Sequence, residues 1–486
     1  FLTDYGIKAE LTSTTRVGFH RYEFPEERKR HVIFDLGAYL AHAETDSFEV
    51  MKISDTEIAG FSVMGSTVRR PKPTRIYFIA RFNQPVSTFG GWIDSSLVDT
   101  GIDRISAKNG GAYVKFGKQS HEPVLMKVAI SYTGIDQARL NMETELSHWD
   151  FDRVVQESDD VWNRWLGKIE IKGGTKKQRV KFYTDLWHSL QGRRIVSDVD
   201  GTYCDMTGDK PVIRQVALDE QGKPKHNQYN FDAWWGSHWT LNVLWSMVYP
   251  GLMDEFCNSM VEMYKHGGLI PRGPSGGNYT YVMIGDPASS FFATAYNKGI
   301  RNYDAALAYE GLKKNAFPGG IRDRAGYEHR DNPQGGGMQY YVDRGYVPEY
   351  IKGPGYHRDG ASMTLEYAYQ DWCISQLAKA MGYEEDHLYF EKRSKNYRNL
   401  WNPETKFIHP RMKDGTWIED FEPIGEGFNT TGFCESNSAI YSNFVPHDLS
   451  GLIDLFGGKE KYTQFLDSSF IRAEANRFIT DHGKHA

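Results

Sequence analysis

Several kinds of signal are missing from this sequence, and each absence narrows what the chain can be. Only four of its 486 residues are cysteines, and none of them forms a C-x-x-C pair or a zinc-like spacing. No apolar run is long enough to cross a bilayer, because the longest, at residues 241–249, is interrupted by Asn242 and Ser246. A P-loop, a strand followed by G-x-G-x-x-G, and a G-x-S-x-G motif are absent too. The sequence therefore gives no motif-level support for a zinc protein, a nucleotide-binding protein or a serine hydrolase.

An excess of one charge is also missing. Lys and Arg total 57 against 63 Asp and Glu, and the resulting net charge of −6 is spread evenly along the chain. This balance argues against a nucleic-acid surface. What the chain has in abundance is aromatic residues, 14% of the total, including 12 Trp and 29 Tyr. Aromatic faces suit stacking against the C–H faces of sugars, although large cores consume such residues as well.

Both ends of the sequence resemble cut ends. The chain begins at Phe1, without Met and without the basic-then-apolar pattern of a signal peptide, and it ends at DHGKHA without a helix cap. We therefore expect the sequence to be part of a longer protein.

The first 145 residues have the pattern of a β-sandwich. Segments such as HVIFDLGAYL, RIYFIARF and VLMKVAISY alternate apolar and polar residues, and Gly, Pro, Asn and Asp separate them. Long antiparallel strands with one polar face predict two packed sheets. No catalytic cluster is visible in this region, so we expect it to support a site that lies elsewhere.

The pattern changes to helical periodicity in the rest of the chain. Residues 146–175 predict a linking segment, a helix followed by a short strand at IEIKGG, and residues 176–486 predict a helical domain. Long Gly- and Tyr-rich loops join the helices, the longest at 316–361, and such loops are usually functional. Paired helices with loops of this kind suit a helical toroid around a central pocket. The predicted helices cover residues 176–190, 237–249, 251–266, 284–299, 303–315, 362–381, 383–400, 448–456 and 458–473.

One carboxylate stands out in the helical region. Glu435 lies in GFCESNSAIY, an otherwise uncharged run with aromatic and apolar residues on both sides. Loss of hydration there would raise its pKa toward the range of a general acid. The alternative is a structural Glu that caps a helix or pairs with an Arg. The next acid, Asp448, has a local structural explanation as the N-cap of a helix that starts at Leu449.

Several segments resemble glycoside hydrolase family 92, and they occur in the family's order along nearly the whole chain. The resemblance implies an N-terminal β-sandwich, a linking segment and an (α/α)6 toroid. It also implies a calcium-dependent, exo-acting α-mannosidase that inverts anomeric configuration. The segments are TLEYAYQDWCISQLAKAMG (364–382), FVPHDLSGLIDLFGGKEKY (444–462), GDPASSFFATAYNKGI (285–300), SDVDGTYC (197–204), RVGFHRYEF and DGTWIEDFEP.

The resemblance gives Glu435 a role. In the family a Glu that opens an E-G-N-x-W-Q-Y motif acts as general acid, and this chain has ESNSAIY at that place. Glu435, Asn437 and Tyr441 match the motif, whereas Ala439 and Ile440 replace its Trp-Gln pair. The resemblance therefore implies that Glu435 is the acid, with different neighbours on the leaving-group side.

The part of the pocket that holds the terminal sugar departs further from the family. Members usually carry W-D-T-F-R-T-x-H, but here the Asp is Gly236 and the Arg is Trp239, so the charge-assisted clamp is missing, although Asp232 could compensate. Arg272 and Asp286 match family positions, with an ion pair or a helix cap as the structural alternative. For the Trp residues the alternative is packing between helices. The predicted substrate-binding residues are Trp235, His238, Trp239, Arg272, Asp286, Tyr356 and His357.

Two family motifs have no match in this chain, the calcium-binding G-N-E-P and the segment that carries the catalytic base. The resemblance implies that both follow Ala486. We therefore expect a periplasmic or secreted exo-α-glycosidase that acts on mannose-like ends of glycans, with calcium as cofactor and its ligands unidentified. Two alternatives stay open: a glycosidase of the same scaffold for another α-sugar, and a carbohydrate-binding protein without catalysis.

Overall fold

The computed structural model describes the chain except for a few short segments. The described residues are 1–26, 28–39, 43–67, 70–98, 101–117, 122–231, 234–324, 335–351, 359–425 and 430–475. Contacts divide the chain into two compact units. The first comprises Phe1–Asp232 and Gly273–Tyr279, and the second comprises Ala233–Arg272 and Thr280–Ala486. The predicted domain boundaries near residues 145 and 175 stay a prediction.

Eleven strands begin the first unit, and their alternating burial matches the alternation in the sequence. They are β1 (Lys8–Ser13), β2 (Val17–Glu23), β3 (His31–Asp35), β4 (Thr45–Ser54), β5 (Glu57–Met64), β6 (Thr74–Phe82), β7 (Val86–Ile93), β8 (Ser96–Val98), β9 (Arg104–Ala107), β10 (Gly110–Phe116) and β11 (Val124–Ser131).

These strands form two antiparallel sheets. The larger has the order β1-β2-β11-β6-β5-β4-β9 and the smaller the order β3-β10-β7-β8. One apolar core joins them, with Phe48, Ile58 and Phe82 from the larger sheet and Phe89 and Val114 from the smaller. The inward side chains of both sheets thus share one core, which confirms the predicted antiparallel β-sandwich.

The sequence interpretation missed one helix here. Residues 135–145, assigned above to the strand region, form α1 (Ile135–Glu145). Its buried Ala138 and Met142 are four residues apart, so they lie on one helical face, in a core that also includes Phe19 and Ile79 of the larger sheet. α2 (Phe151–Leu166) follows, with Asp150 as its N-cap. The segment therefore covers the outer face of the sheet instead of extending it.

The remainder of the first unit also corrects the sequence analysis. The helical pattern was expected to continue from residue 175, but only α3 (Lys176–Ser189) precedes a stretch of short strands. Left-handed turns at Gly201 and Gly222 allow the chain to reverse there. The predicted strand at IEIKGG, residues 169–174, is irregular. The strands are β12 (Arg194–Ile195), β13 (Thr202–Asp205), β14 (Val212–Gln215), β15 (Tyr229–Asn230), β16 (Pro274–Ser275) and β17 (Asn278–Tyr279).

The second unit is helical, as predicted, and the closed toroid stays a prediction. The predicted N-cap Asp448 accepts a hydrogen bond from the Gly451 amide at 3.1 Å. No described helix combines the length and apolar composition needed to cross a membrane. The elements are α4 (Leu241–Val248), α5 (Pro250–Gly267), α6 (Ala288–Asn297), α7 (Ala305–Asn315), α8 (Ile321–Arg324), α9 (Met338–Arg344), α10 (Gly360–Met381), α11 (Glu384–Arg393), β18 (Trp401–Asn402), β19 (Phe407–Ile408), α12 (Ser438–Tyr441), α13 (Leu449–Phe456) and α14 (Lys459–Ala475).

Helix α10 is the central element of this unit. It packs against α6, α7 and α11, and most of its residues are buried on every side. A helix covered all round must satisfy each polar side chain that it buries. Asp371 meets this requirement with two arginines, since Arg322 and Arg393 each approach its carboxylate to 2.7 Å. The Tyr341 hydroxyl donates a further bond of 3.0 Å to the same group.

We expect Asp371→Asn to destabilise the second unit by about 3–5 kcal/mol, because removing one partner of a buried ion pair leaves the other charge uncompensated. Two arginines lose their counter-charge at once. Urea unfolding monitored by circular dichroism would measure the loss. Asp343→Asn is the matched control, since Asp343 is exposed and bonds only Gln339 among the described residues. A loss below about 1 kcal/mol for Asp371→Asn would contradict this account of the core.

Candidate sugar-binding site

A pocket of about 360 Å³ lies in the second unit. The turn before α4, the middle of α10, and α12 with the residues after it supply its walls. Three of the predicted substrate-binding residues, Trp235, His238 and Trp239, line it together. The full lining is Trp235, Gly236, His238, Trp239, Glu366, Ile440, Tyr441, Asn443 and Phe444.

The turn at residues 235–239 owes its shape to Gly236. Gly236 has a left-handed φ of 73° and begins a 3-10 turn, Ser237–Trp239. Glycine adopts this conformation without the steric cost that a side chain would bring. The backbone conformation therefore explains why a glycine occupies this position, where the family resemblance leads one to expect Asp. The turn that it begins places His238 and Trp239 in one wall of the pocket.

The aromatic residues of the pocket differ in their exposure to solvent. Trp239 is 58% exposed, although its ring lies 5.6 Å from that of Phe444. The His238 ring lies 4.8 Å from Trp239 and burial lowers its pKa to about 4, so His238 is neutral at pH 7. By contrast, Trp234 is fully buried and stacks on Phe291 at 4.4 Å. Packing therefore explains Trp234, whereas Trp239 presents a free aromatic face.

Glu366 is the pocket residue that the sequence reasoning did not select. It is only 6% exposed, and burial raises its pKa to about 8, although Arg272, a hydrogen bond from Gln370 and Arg322 all favour the charged form. The Gln370 amide nitrogen donates to Glu366 Oε2 at 3.1 Å. One signal was available in the sequence: Glu366, Gln370 and Asp371 lie within two turns of a predominantly apolar helical pattern. Such residues require partners or a function.

Arg272 and Asp286 lie in the interior of the unit and not among the residues that line the pocket. The Arg272 guanidinium donates to the carbonyl oxygens of Met283 and Ile284, and burial lowers its pKa to about 10. Asp286 accepts bonds from the Ser289 hydroxyl at 3.0 Å and the Asn315 amide at 3.3 Å.

Arg272 and Asp286 influence each other without direct contact. No ion pair within 4 Å joins these two described side chains. Burial raises the pKa of Asp286, and the positive charge of Arg272 partly opposes that rise. The Asp286 amide donates to Gln370 Oε1 at 2.8 Å, so a chain of bonds runs from Asp286 through Gln370 to Glu366. Asp286 therefore supports the Glu366 side of the pocket through Gln370, and Arg272 acts on Glu366 through its charge.

Glu435 lies on a loop beside the pocket's α12 wall. Its backbone has a left-handed φ of 53°, which is uncommon for a residue with a side chain and is often found at functional sites. Phe433 and Cys434 are buried, but Glu435 itself is exposed, so its apolar neighbours do not remove it from water as expected. Asn437 is the N-cap of α12, which argues against a capping role for Glu435.

Two predicted loop residues, Tyr356 and His357, lie outside the described residues, as does Asp232. Within the described ranges, no group of three or more His, Cys, Asp or Glu side chains is arranged to hold a metal ion. The residues present there do not fit the calcium that the family resemblance implies.

A larger cavity, of about 460 Å³, lies in the first unit between β5, β6 and the β13–β14 hairpin. Its lining includes Lys72, Tyr77 and Tyr132 but none of the residues predicted from the sequence to bind substrate. Size alone therefore does not identify the site in this protein. The smaller pocket is the candidate because it combines the predicted residues with a buried carboxyl group.

Comparison with known proteins agrees with the fold. One curated relative is an "Uncharacterized secreted glycosidase" of Arthroderma benhamiae, 30% identical over 95% of this chain and 59% of its own length. A family GH92 α-mannosidase of Bacteroides thetaiotaomicron, also solved with mannoimidazole, has a TM-score of 0.83 and 27% identity. An inverting family GH92 mannosidase of the same species has a TM-score of 0.82 and 25% identity.

The structural matches cover 96% and 95% of this chain but 58% of each solved chain, so the sequence spans about three-fifths of these relatives. Family models cover most of its length. The glycosyl hydrolase family 92 N-terminal domain matches residues 1–131, and the catalytic domain of the same family matches residues 137–485. The chain belongs to glycosyl hydrolase family 92.

Proposed function

We propose that this protein is an exo-acting glycoside hydrolase that removes a terminal α-linked mannose, or a similar sugar, from glycans. The observation that carries the proposal is the pocket with the exposed Trp239 face on one wall and Glu366 on another. Its volume of about 360 Å³ is at the small end of ligand pockets, which suits a short sugar end. The mannosidase relatives, one of them bound to mannoimidazole, support mannose as the sugar. The name of the Arthroderma relative supports a secreted protein.

The proposed chemistry is hydrolysis with inversion. Glu435 gives a proton to the departing glycosidic oxygen while a water oxygen forms the new bond to the anomeric carbon, and a base takes the proton of that water. Inverting enzymes separate the two carboxyl groups by roughly 6.5–9.5 Å to leave room for the water. Glu435 is assigned by its motif, and its exposed position leaves it accessible to the oxygen of a bound glycan. The base and any calcium ligands are proposed to lie outside the described residues.

A carbohydrate-binding protein without catalysis is the second candidate. The observation that favours it is the pair of replacements in the pocket wall, Gly236 and Trp239, where the family has Asp and Arg. A wall with fewer charges can still stack on a sugar ring but holds it less firmly. A glycosidase of this scaffold for another α-sugar would explain the same replacements.

In the full-length protein, we expect Glu435→Gln to lower the rate on disaccharides by about 10²–10⁴-fold, since general-acid assistance contributes that much. Activated aryl glycosides need little protonation, so their cleavage should fall much less. The measurement is kcat/KM on both substrate types, with the melting temperature as a check of folding. Glu419→Gln, another exposed Glu, is the matched control. An equal loss on both substrate types would show that Glu435 does not act as the acid.

Trp239→Ala should raise KM, or Kd for a non-hydrolysed sugar, by about 2–10-fold, because an aromatic face contributes about 0.5–1.5 kcal/mol beyond its buried area. Melting should change little, since Trp239 is mostly exposed. Trp162→Ala, a partly exposed Trp on α2 of the other unit, is the control and should leave KM unchanged. Unchanged affinity in Trp239→Ala would remove this wall from the proposed site.

Calcium should leave the melting temperature of this chain unchanged within about 1 °C, because a ligand stabilises only a folded state that holds its site. The described residues offer no suitable ligand cluster. Differential scanning fluorimetry with calcium, magnesium or a chelator provides the measurement, with magnesium as the control for ionic strength. A calcium-specific rise of several degrees would place the metal site within this chain and overturn the expectation.

A further inference from the structure

We propose that Glu366 is the polar anchor of the sugar pocket and meets an uncharged sugar as a neutral carboxylic acid that donates a hydrogen bond. The inference rests on the proposed function for the location of the sugar. It assigns a role to a residue outside the family's acid motif, and it names the substrate class as neutral pyranoses.

The position of Glu366 supports this role. One of its carboxyl oxygens, Oε2, is held by the Gln370 amide at 3.1 Å, and Gln370 is fixed in turn by the Asp286 amide at 2.8 Å. No donor among the described residues reaches the other oxygen, Oε1, and the residue lines the pocket. A carboxylic acid held by one oxygen has its second oxygen available for a ligand, as donor when it carries the proton.

The proton is retained because the surroundings disfavour a negative charge. Glu366 is almost completely buried, which raises its pKa to about 8, so most of it is protonated at pH 7. The two arginines behind it bond other groups: Arg272 donates to two backbone carbonyls, and Arg322 pairs with Asp371. Neither forms an ion pair with Glu366 within the described part of the chain.

The other titratable groups around Glu366 leave the pocket wall without formal charge at pH 7. Burial lowers the pKa of His238 to about 4, so its ring is neutral. Burial raises the pKa of the Cys434 thiol to about 12 and the pKa of each neighbouring phenol above its usual value, so these groups are neutral too. The phenols are those of Tyr367, Tyr369 and Tyr441. Of the buried acids nearby, Asp286 lies behind Gln370, where burial raises its pKa, and Asp371 pairs with Arg322 and Arg393.

A pocket of this kind discriminates by charge. A neutral pyranose places its hydroxyl groups against the Glu366 donor and its C–H face against Trp239. An anionic sugar would bury a charge that no cation among the described lining residues compensates. Mannose should therefore bind, whereas mannuronate should bind at least tenfold more weakly.

The sign of the pH dependence follows from the raised pKa. The donor is present below pH 8 and is lost as the pH rises through 8. With binding confined to the protonated form, Kd should rise about tenfold between pH 7 and pH 9. Glu366→Gln keeps a donor that does not titrate, so its Kd should stay constant over this range and lie within about threefold of the wild-type value at pH 7. Glu366→Ala should lose affinity at both pH values.

The experiment is isothermal titration of methyl α-mannoside, and of mannuronate, into the wild-type chain and the variants at pH 7 and pH 9. Glu262→Gln is the control, a buried Glu on α5 that is paired with Lys265 at 2.7 Å, and it should behave as wild type. Mannoside binding that is independent of pH in the wild type would overturn the role of Glu366 and leave the proposed function standing. Preference for another neutral sugar would show that mannose is not the bound sugar but would support Glu366 as the hydrogen-bond donor. Absence of binding by every sugar, or preference for mannuronate, would overturn the inference.

A measurement without sugar checks the protonation state independently. The folded state keeps the Glu366 proton between about pH 4.5 and pH 8 while the unfolded chain releases it, so this group makes stability fall as pH rises across that window. The melting temperature of Glu366→Gln should fall less steeply than that of the wild type between pH 5 and pH 8, and Glu262→Gln should follow the wild type. Identical slopes in all three proteins would show that Glu366 is already ionised.

Discussion

The burial of polar groups on one helix, α10, is the constraint on which the second unit depends. This helix is covered on nearly all sides, yet it carries Glu366, Gln370 and Asp371 within two turns. Burying a charge is unfavourable by several kcal/mol unless partners compensate it. Asp371 receives this compensation from Arg322 and Arg393, so the positions of α8 and the end of α11 are tied to α10.

The same constraint gives Glu366 different properties from Asp371, although the two lie on one helix. Asp371 faces two arginines and is fully satisfied inside the protein. Among the described residues Glu366 receives only the Gln370 bond, and it lines the pocket, so burial favours its protonated form. One helix thereby supplies an ion-paired acid to the core and, in the proposal above, a neutral acid to the pocket.

The two carboxyl groups proposed to act in function also differ in environment. Glu435 is exposed on a strained loop, whereas Glu366 is buried in the pocket wall. An exposed carboxyl depends on a bound substrate to exclude water before it can act as an efficient acid. A buried carboxyl is already shielded from water before the substrate binds. The proposed role of Glu435 rests on a sequence motif, whereas that of Glu366 rests on its environment, so a family resemblance can point to Glu435 and pass over Glu366.

The sequence by itself determined the class of each region. Alternation of apolar residues predicted the β-sandwich, helical periodicity predicted the second unit, and ordered motifs predicted family 92, because these patterns are local and survive without knowledge of the fold. Local patterns failed at residues 135–145, where a short amphipathic helix followed a strand, and at 194–230, where glycine turns separate strands too short to leave a periodic signal.

The tertiary structure alone decided which side chains meet. It brought Trp239 and Glu366, 127 positions apart in the sequence, into one pocket, and it placed Arg272 and Asp286 behind that pocket instead of on its wall. It also left Glu435 exposed despite its apolar neighbours. The physical reason is that burial and pKa depend on everything that packs around a group, and most of those neighbours are distant in sequence.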